Sequence, residues 1–283
     1  MWFASPADAS ERLSAVDYLS DDSIATSVFL AGALGKPLLA EGPAGVGKTQ
    51  LAKAVAATTG AKLVRLQCYE GLDEARALYE WNYKKQLLRI QAGQDESWDA
   101  THDDIFTEEF LLERPLLAAI RSQTPVVLLI DETDKADVEV EGLLLEILSD
   151  YQVTIPELGT IAAVRRPYVV LTSNATRELS EALKRRCLYL HLEYPTPERE
   201  RDIVLAQVPT ITAALAEQLA RTVATLRALE LKKAPSIAET IDWANTLLAL
   251  GRTELDEAAI GATLGVVLKH ASDQTRARKE LAL

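Results

Sequence analysis

The 283-residue sequence predicts an α/β fold: a parallel sheet of five strands flanked by helices, followed by a smaller all-helical domain. Three observations carry that reading. Short apolar runs alternate with helical patterns over the first two-thirds of the chain. One of these runs, "VVLLID" at 126–131, is apolar almost throughout, as a strand covered by helices on both faces should be. After "EYPTPERE" the strand patterns stop and only helical spacing remains, so the expected domains are 1–195 and 196–283.

The strands follow in order: "KPLLAEG" (36–42), "KLVRLQC" (62–68), "VVLLID" (126–131), "YVVLTSN" (168–174) and "YLHLEY" (189–194). Between the first two, "QLAKAVAATTG" is an alanine-rich helix stopped by Gly60. "VEVEGLLLEIL" sets Val140, Leu143, Leu144, Ile147 and Leu148 on one helical stripe. In the second domain Leu215, Leu219, Val223 and Leu226 share a face, as do Ile237, Ile241, Ala244 and Leu248, and then Ile260, Leu264 and Val267. Pro195, Pro197, Pro209 and Pro235 punctuate these helices. Residues 90–113 stand apart with eight acids and no lysine or arginine, and they read as a solvated loop or helix end.

Composition narrows the function. With 42 acids against 30 bases the net charge is −12, a poor electrostatic match to DNA or to an anionic membrane. Only Cys68 and Cys187 are present, without a surrounding Cys/His cluster, which points to a reducing compartment and away from zinc. No run is long and apolar enough to span a bilayer, and the first residues lack the basic start and apolar core of a secretion signal. A cytoplasmic location is expected.

"GPAGVGKT" (42–49) fits G-x-x-x-x-G-K-[ST], with a strand before it and a helix after it. Gly42, Gly45 and Gly47 let main-chain N–H groups curl round a phosphate, and the positive end of the helix adds to the attraction. Lys48 can reach the terminal phosphates and the Thr49 hydroxyl can bind Mg²⁺. "VVLLIDETD" supplies Asp131 at the carboxyl end of an apolar strand, where such aspartates hold magnesium in phosphate-loop NTPases. Glu132, one residue on, is placed to polarise an attacking water, which favours hydrolysis over transfer to a metabolite. Asn174 ends the next strand, where its amide can orient water and γ-phosphate together. Arg185 and Arg186 are adjacent, and their mutual repulsion calls for an anion near at least one of them.

Loop, Asp-Glu strand, Asn strand, arginine pair and helical second domain together resemble an AAA+ ATPase over essentially the whole chain. More narrowly, "VTIPELGTIAAVRRPYVVLTSNATRELSEALKRRC" is similar to the MoxR family, the branch that includes carbon monoxide dehydrogenase maturation ATPases. "VTIPELGTI" reads as a hairpin inserted before the Asn174 strand, a hallmark of that clade. The resemblance implies ATP and Mg²⁺ as cofactors, bound by Gly42, Pro43, Ala44, Gly45, Val46, Gly47, Lys48 and Thr49, with Asp131 as the second metal residue. It makes Glu132 the base, Asn174 the sensor, and Arg186 an arginine finger offered in trans, with Arg185 its alternate or support. It implies a homo-oligomer, a hexameric ring, acting as a remodelling chaperone on a protein client with a von Willebrand factor A-domain partner. One departure matters: "APSIAETIDW" has Ala238 where such lids usually carry a sensor-2 arginine.

Two rivals share these residues. A DNA-associated motor or loader is favoured slightly by "RRC" and opposed by the acidic charge. A scaffold switch with little turnover is kept open by Ala238 and opposed by Glu132 and Asn174. Tyr69 in "CYEG" and Tyr79, Trp81 and Tyr83 in "LYEWNY" are expected to pack rather than to contact a client.

Overall fold

In the computed structural model, which describes residues 2–92 and 104–281, the apolar run at 126–131 is buried at every position and occupies the inside of a five-stranded sheet. That sheet contains β1 (Leu38–Glu41), β2 (Lys62–Gln67), β5 (Val126–Asp131), β8 (Tyr168–Ser173) and β9 (Leu188–His191), in the order β2-β5-β8-β1-β9. The pairings β2–β5, β5–β8 and β1–β8 are parallel. Their register sets Gln67 opposite Asp131, Ile130 opposite Leu171 and Glu41 opposite Ser173, so the strands end level with one another. Level carboxyl ends on a parallel sheet form the edge where such folds place their chemistry.

Helices α1 (Pro6–Ser14), α2 (Asp22–Leu34), α3 (Lys48–Thr59), α4 (Glu74–Ala77), α5 (Tyr83–Ala92), α6 (Pro115–Arg121), α7 (Val138–Asp150) and α8 (Glu181–Arg186) accompany the sheet. The α7 stripe is buried at Val140, Leu144, Ile147 and Leu148, with Leu143 half-buried. The anticipated hairpin is present as β6 (Gln152–Ile155) and β7 (Gly159–Ala162), paired antiparallel. A second ribbon, β3 (Tyr79–Trp81) with β4 (Leu111–Glu113), was not foreseen, because strands of three residues carry no readable alternation. It buries Trp81, but Tyr83 just beyond it is 61 % exposed and Tyr69 is also exposed, contrary to the expectation that both pack. Of the acidic stretch 90–113, residues 93–103 lie outside the described residues, and the described remainder includes the end of α5 and β4.

The helical part comprises α9 (Pro197–Gln207), α10 (Ala213–Arg227), α11 (Ile237–Ala249), α12 (Glu257–Val267) and α13 (Ala271–Glu280). Leu215, Leu219, Val223 and Leu226 meet Trp243, Ala244, Leu247, Ile260 and Leu264 in one apolar core, as the helical spacing requires. The chain forms two compact units: Met1–Leu13, Ser20–Glu41 and Leu51–Leu190 make the first, and Ser14–Leu19, Gly42–Gln50 and His191–Leu283 make the second. The glycine loop thus packs with the helical segment even though it is continuous with β1. No helix among the described residues is long and apolar enough to cross a membrane.

Candidate active site

The loop at 42–49 leaves β1 and enters α3, and its backbone explains its glycines. Gly42 has φ +154° and a Cβ there would lie 1.9 Å from the Leu192 carbonyl oxygen. Gly45 has φ +76°, and its Cβ would lie 2.3 Å from Ser236 Cβ. Both positions therefore exclude any side chain, on conformational and steric grounds alike. Lys48 is 6 % exposed, and its Nζ donates to the Gly42 and Pro43 carbonyls at 2.7 and 2.6 Å. The ammonium is thereby folded onto the loop rather than into solvent. Tyr18, also buried, packs beside Gly47.

The carboxylates sit at the ends of β5 and its neighbours. Asp131 is 2 % exposed; its Oδ1 accepts from Thr172 Oγ1 at 2.6 Å, and its Oδ2 accepts from Arg65 Nη2 at 2.5 Å and Nε at 3.1 Å. Thr172 Oγ1 in turn accepts from the Glu132 N–H at 2.9 Å, so one hydroxyl fixes both acids. Glu132 has φ +57°, a left-handed conformation rare outside glycine that concentrates at functional sites. Its Oε2 accepts from Gln67 Nε2 at 2.9 Å and Lys135 Nζ at 2.8 Å. Sequence reasoning passed over Arg65, Gln67 and Thr172. The signal was there: Arg65 and Gln67 are two apart on a strand, hence on one face, at its carboxyl end.

Cys68, whose N–H donates to the Asp131 carbonyl, is buried, and burial together with the nearby Asp131 and Asp134 charges pushes its thiol up to about 12. It is therefore inert as a nucleophile. Among the described residues no group of three or more His, Cys, Asp or Glu is placed to hold a metal ion. That excludes an all-protein metal cage in this part of the chain, while a hard cation shared with phosphates needs only one carboxylate and a hydroxyl. Asp131, buried at the carboxyl end of β5, is a carboxylate of that kind. The glycine loop leads straight into the N-terminus of α3, where main-chain N–H groups suit a phosphate.

Asn174 follows β8 directly, and β8 lies between β5 and β1 in the sheet. The next residue, Ala175, has φ +56°. Arg185 and Arg186 end α8 and both are exposed, so neither is buried within its own chain. Arg186 Nε donates to Ser149 Oγ at 2.6 Å and its Nη1 to the Ala182 carbonyl at 3.0 Å. In the helical unit Ser236 caps α11, the Ile237 N–H donates to the Gly45 carbonyl at 3.2 Å, and Ala238 follows. Nearby Lys233 pairs with Glu239 at 3.1 Å.

A glycine loop ahead of a helix, on a parallel β2-β5-β8-β1-β9 sheet with an Asp-Glu pair at the end of β5, defines a phosphate-loop NTPase core. The sequence model of the AAA domain, dynein-related subfamily, matches residues 37–187, more than half of the chain, and the protein belongs to that family of AAA+ ATPases. An uncharacterized protein, SH1500, of Staphylococcus haemolyticus is 26 % identical over 84 % of this chain and 90 % of its own length. The chaperone protein ClpB 2 of Parasynechococcus marenigrum is 34 % identical over 47 % of this chain, which spans only 13 % of that protein. A solved RuvB chain of Thermotoga maritima superposes with a TM-score of 0.49 at 19 % identity, covering 93 % of this chain and 71 % of RuvB.

Proposed function

We propose that this protein is a Mg²⁺-dependent ATPase that works as a homo-hexameric ring and remodels protein clients.

 Residues 1–195 serve as the nucleotide-binding core and residues 196–283 as the lid. Lys48 bonds the terminal phosphates of ATP, and Glu132 takes a proton from the attacking water while Asn174 orients that water against the γ-phosphate. Thr49 and Asp131 would hold Mg²⁺, which supplies charge neutralisation on the phosphate oxygens. Arg186 of an adjacent copy, with Arg185 beside it, offers the planar fork that suits the γ-phosphate. The single observation that carries the reading is the Asp131–Glu132 pair, one acid buried and bonded, the other held in a left-handed conformation at the level end of β5.

Within the AAA+ proteins we assign the chain to the MoxR branch, supported by the β6–β7 hairpin ahead of β8. On that assignment the client is a metalloenzyme or multiprotein complex under maturation, the partner carries a von Willebrand factor A domain, and the location is the cytoplasm. The chaperone name of the ClpB relative supports remodelling over DNA work. A second reading, a scaffold switch with little turnover, draws on the hold that Gln67 and Lys135 have on Glu132.

Steady-state phosphate release tests these readings together. Glu132→Gln should lower turnover about 10²–10⁴-fold while ATP binding persists. Removing both Arg185 and Arg186 should lower it by up to about 10³–10⁵-fold, and wild-type turnover per chain should rise with concentration as rings assemble. Turnover unchanged in Glu132→Gln leaves the scaffold reading; strong stimulation by DNA restores the loader.

A further inference from the structure

Between Asn174 and the arginine pair runs a short segment, 175–180, exposed as far as Glu178 and buried at Leu179, and two buried carboxylates outside the catalytic set hold it. Asp134, 3 % exposed, accepts at Oδ2 from the Thr176 N–H at 3.1 Å and the Thr176 hydroxyl at 2.5 Å. Glu141, also 3 % exposed, accepts from the Arg177 guanidinium at Oε1 and from the Ser180 N–H at Oε2, the latter at 3.0 Å. Ser180 is the N-cap of α8, its Oγ accepting from the Leu183 N–H at 3.3 Å. The far end of α8 is tied to the same helix as Glu141, since Arg186 bonds Ser149 and both Glu141 and Ser149 lie on α7. Each carboxylate thus receives two donors from one end of the segment, and buried acids are retained in such a setting only when those donors are in place.

We propose that Asp134 and Glu141 are positioning residues: Asp134 acts through Asn174 by holding Thr176, and Glu141 acts through the arginine pair by holding Arg177 and the α8 N-cap. The geometry supports this in two ways. Ala175 is left-handed without being glycine, so the turn after Asn174 needs an external anchor, and Thr176 is where the anchor lies. α8 has six residues, too short to hold its own direction, so its cap and its last arginine set where the guanidiniums stand. The segment is therefore a strut fixed at both ends to the strand-and-helix stretch that begins with Glu132. It links the γ-phosphate sensor of one chain to the arginines offered to the next.

The proposal rests on the reading of Asn174 and the arginines as catalytic, and double-mutant cycles separate the two. Asp134→Asn should lower kcat, by up to about 100-fold, at unchanged KM for ATP. Combined with Asn174→Ala it should add no further loss. Glu141→Gln should show the same non-additivity with Arg185→Ala/Arg186→Ala and not with Asn174→Ala. Effects that multiply in both cycles overturn the proposal. If Asn174→Ala or the arginine variant alone leaves turnover untouched, the catalytic reading fails, and amide hydrogen exchange then decides the strut by itself. Asp134→Asn should speed exchange at 175–177 and Glu141→Gln at 178–183, whereas exchange unchanged there overturns the proposal. Thr176→Val and Arg177→Lys, which spare the buried acids, give the same cycles if either carboxylate variant fails to fold.

Discussion

Each compact unit contains a carboxylate buried against an arginine, and the two pairs are built differently. In the α/β unit Glu141 is buried, but its partner Arg177 has a side chain 40 % exposed, and the second oxygen is satisfied by the main chain at Ser180. In the helical unit Glu200 is fully buried and the Arg227 side chain is only 10 % exposed. Both Arg227 terminal nitrogens meet both Glu200 oxygens at 2.5 and 2.8 Å, the Nε donates to the Pro235 carbonyl at 2.8 Å, and Thr240 adds a donor to Glu200 at 2.7 Å. Arg227 also lies over the Tyr194 ring, 4.4 Å from its centroid. One pair tethers a loop; the other locks α9, α10 and α11 into a single body. A tether can yield while the unit stays folded, and a sealed pair cannot.

The largest effect follows from that contrast. Arg227→Met leaves Glu200 buried without its cation and should destabilise the helical unit by about 3–5 kcal/mol, read by urea unfolding. Replacing both partners, Glu200→Leu with Arg227→Met, should recover most of the loss. Arg177→Met should cost far less, about 1 kcal/mol, because water screens an exposed guanidinium and Ser180 still serves Glu141. Equal losses at the two sites would break the comparison.

Much of the fold was legible because its signals are dense and local. The five sheet strands are short apolar runs, and β5 coincides with "VVLLID" to the residue. The phosphate loop and the Asp131–Glu132 pair are contiguous motifs whose spacing alone implies their role. The Asp134–Thr176 and Glu141–Arg177 bonds span 42 and 36 residues, and no periodicity joins such positions. Arg65 was within reach of pattern reading, but its bond to Asp131 depends on β2–β5 register, which only the folded sheet supplies. The loop's packing beside Ser236 is of the same kind: it joins segments far apart in the chain.

Acid sharpens the comparison next. Burial alone would raise the Glu141 pKa, but Arg177 and Ser180 outweigh it and hold the carboxyl below its usual range. Asp134 is likewise lowered, with Thr176 outweighing burial. A folded-state pKa below the unfolded value means stability that is present above the unfolded value, about 4, and is lost as pH falls through the folded one. Glu141→Gln should therefore flatten the fall in unfolding free energy below about pH 4. A fall as steep as in wild type would show that the tether contributes nothing to folding.

The smallest effect concerns the start of α11, where a cap and the phosphate loop meet. Ser236 Oγ accepts from the Glu239 N–H at 3.3 Å, and Glu239 Oε2 accepts from the Ser236 N–H at 2.7 Å. Ser236→Ala removes only the first of these and should destabilise by about 1 kcal/mol. Contact with the loop should survive, because the Ile237 N–H, not the serine hydroxyl, donates to the Gly45 carbonyl. Nucleotide affinity measured by titration should thus stay within about twofold of wild type, since a cap worth that little leaves the helical body that Glu200 and Arg227 lock in place. A tenfold loss of affinity would instead assign Ser236 a direct part in the phosphate loop, and the lid would then act through a side chain beside the position that Ala238 leaves without an arginine.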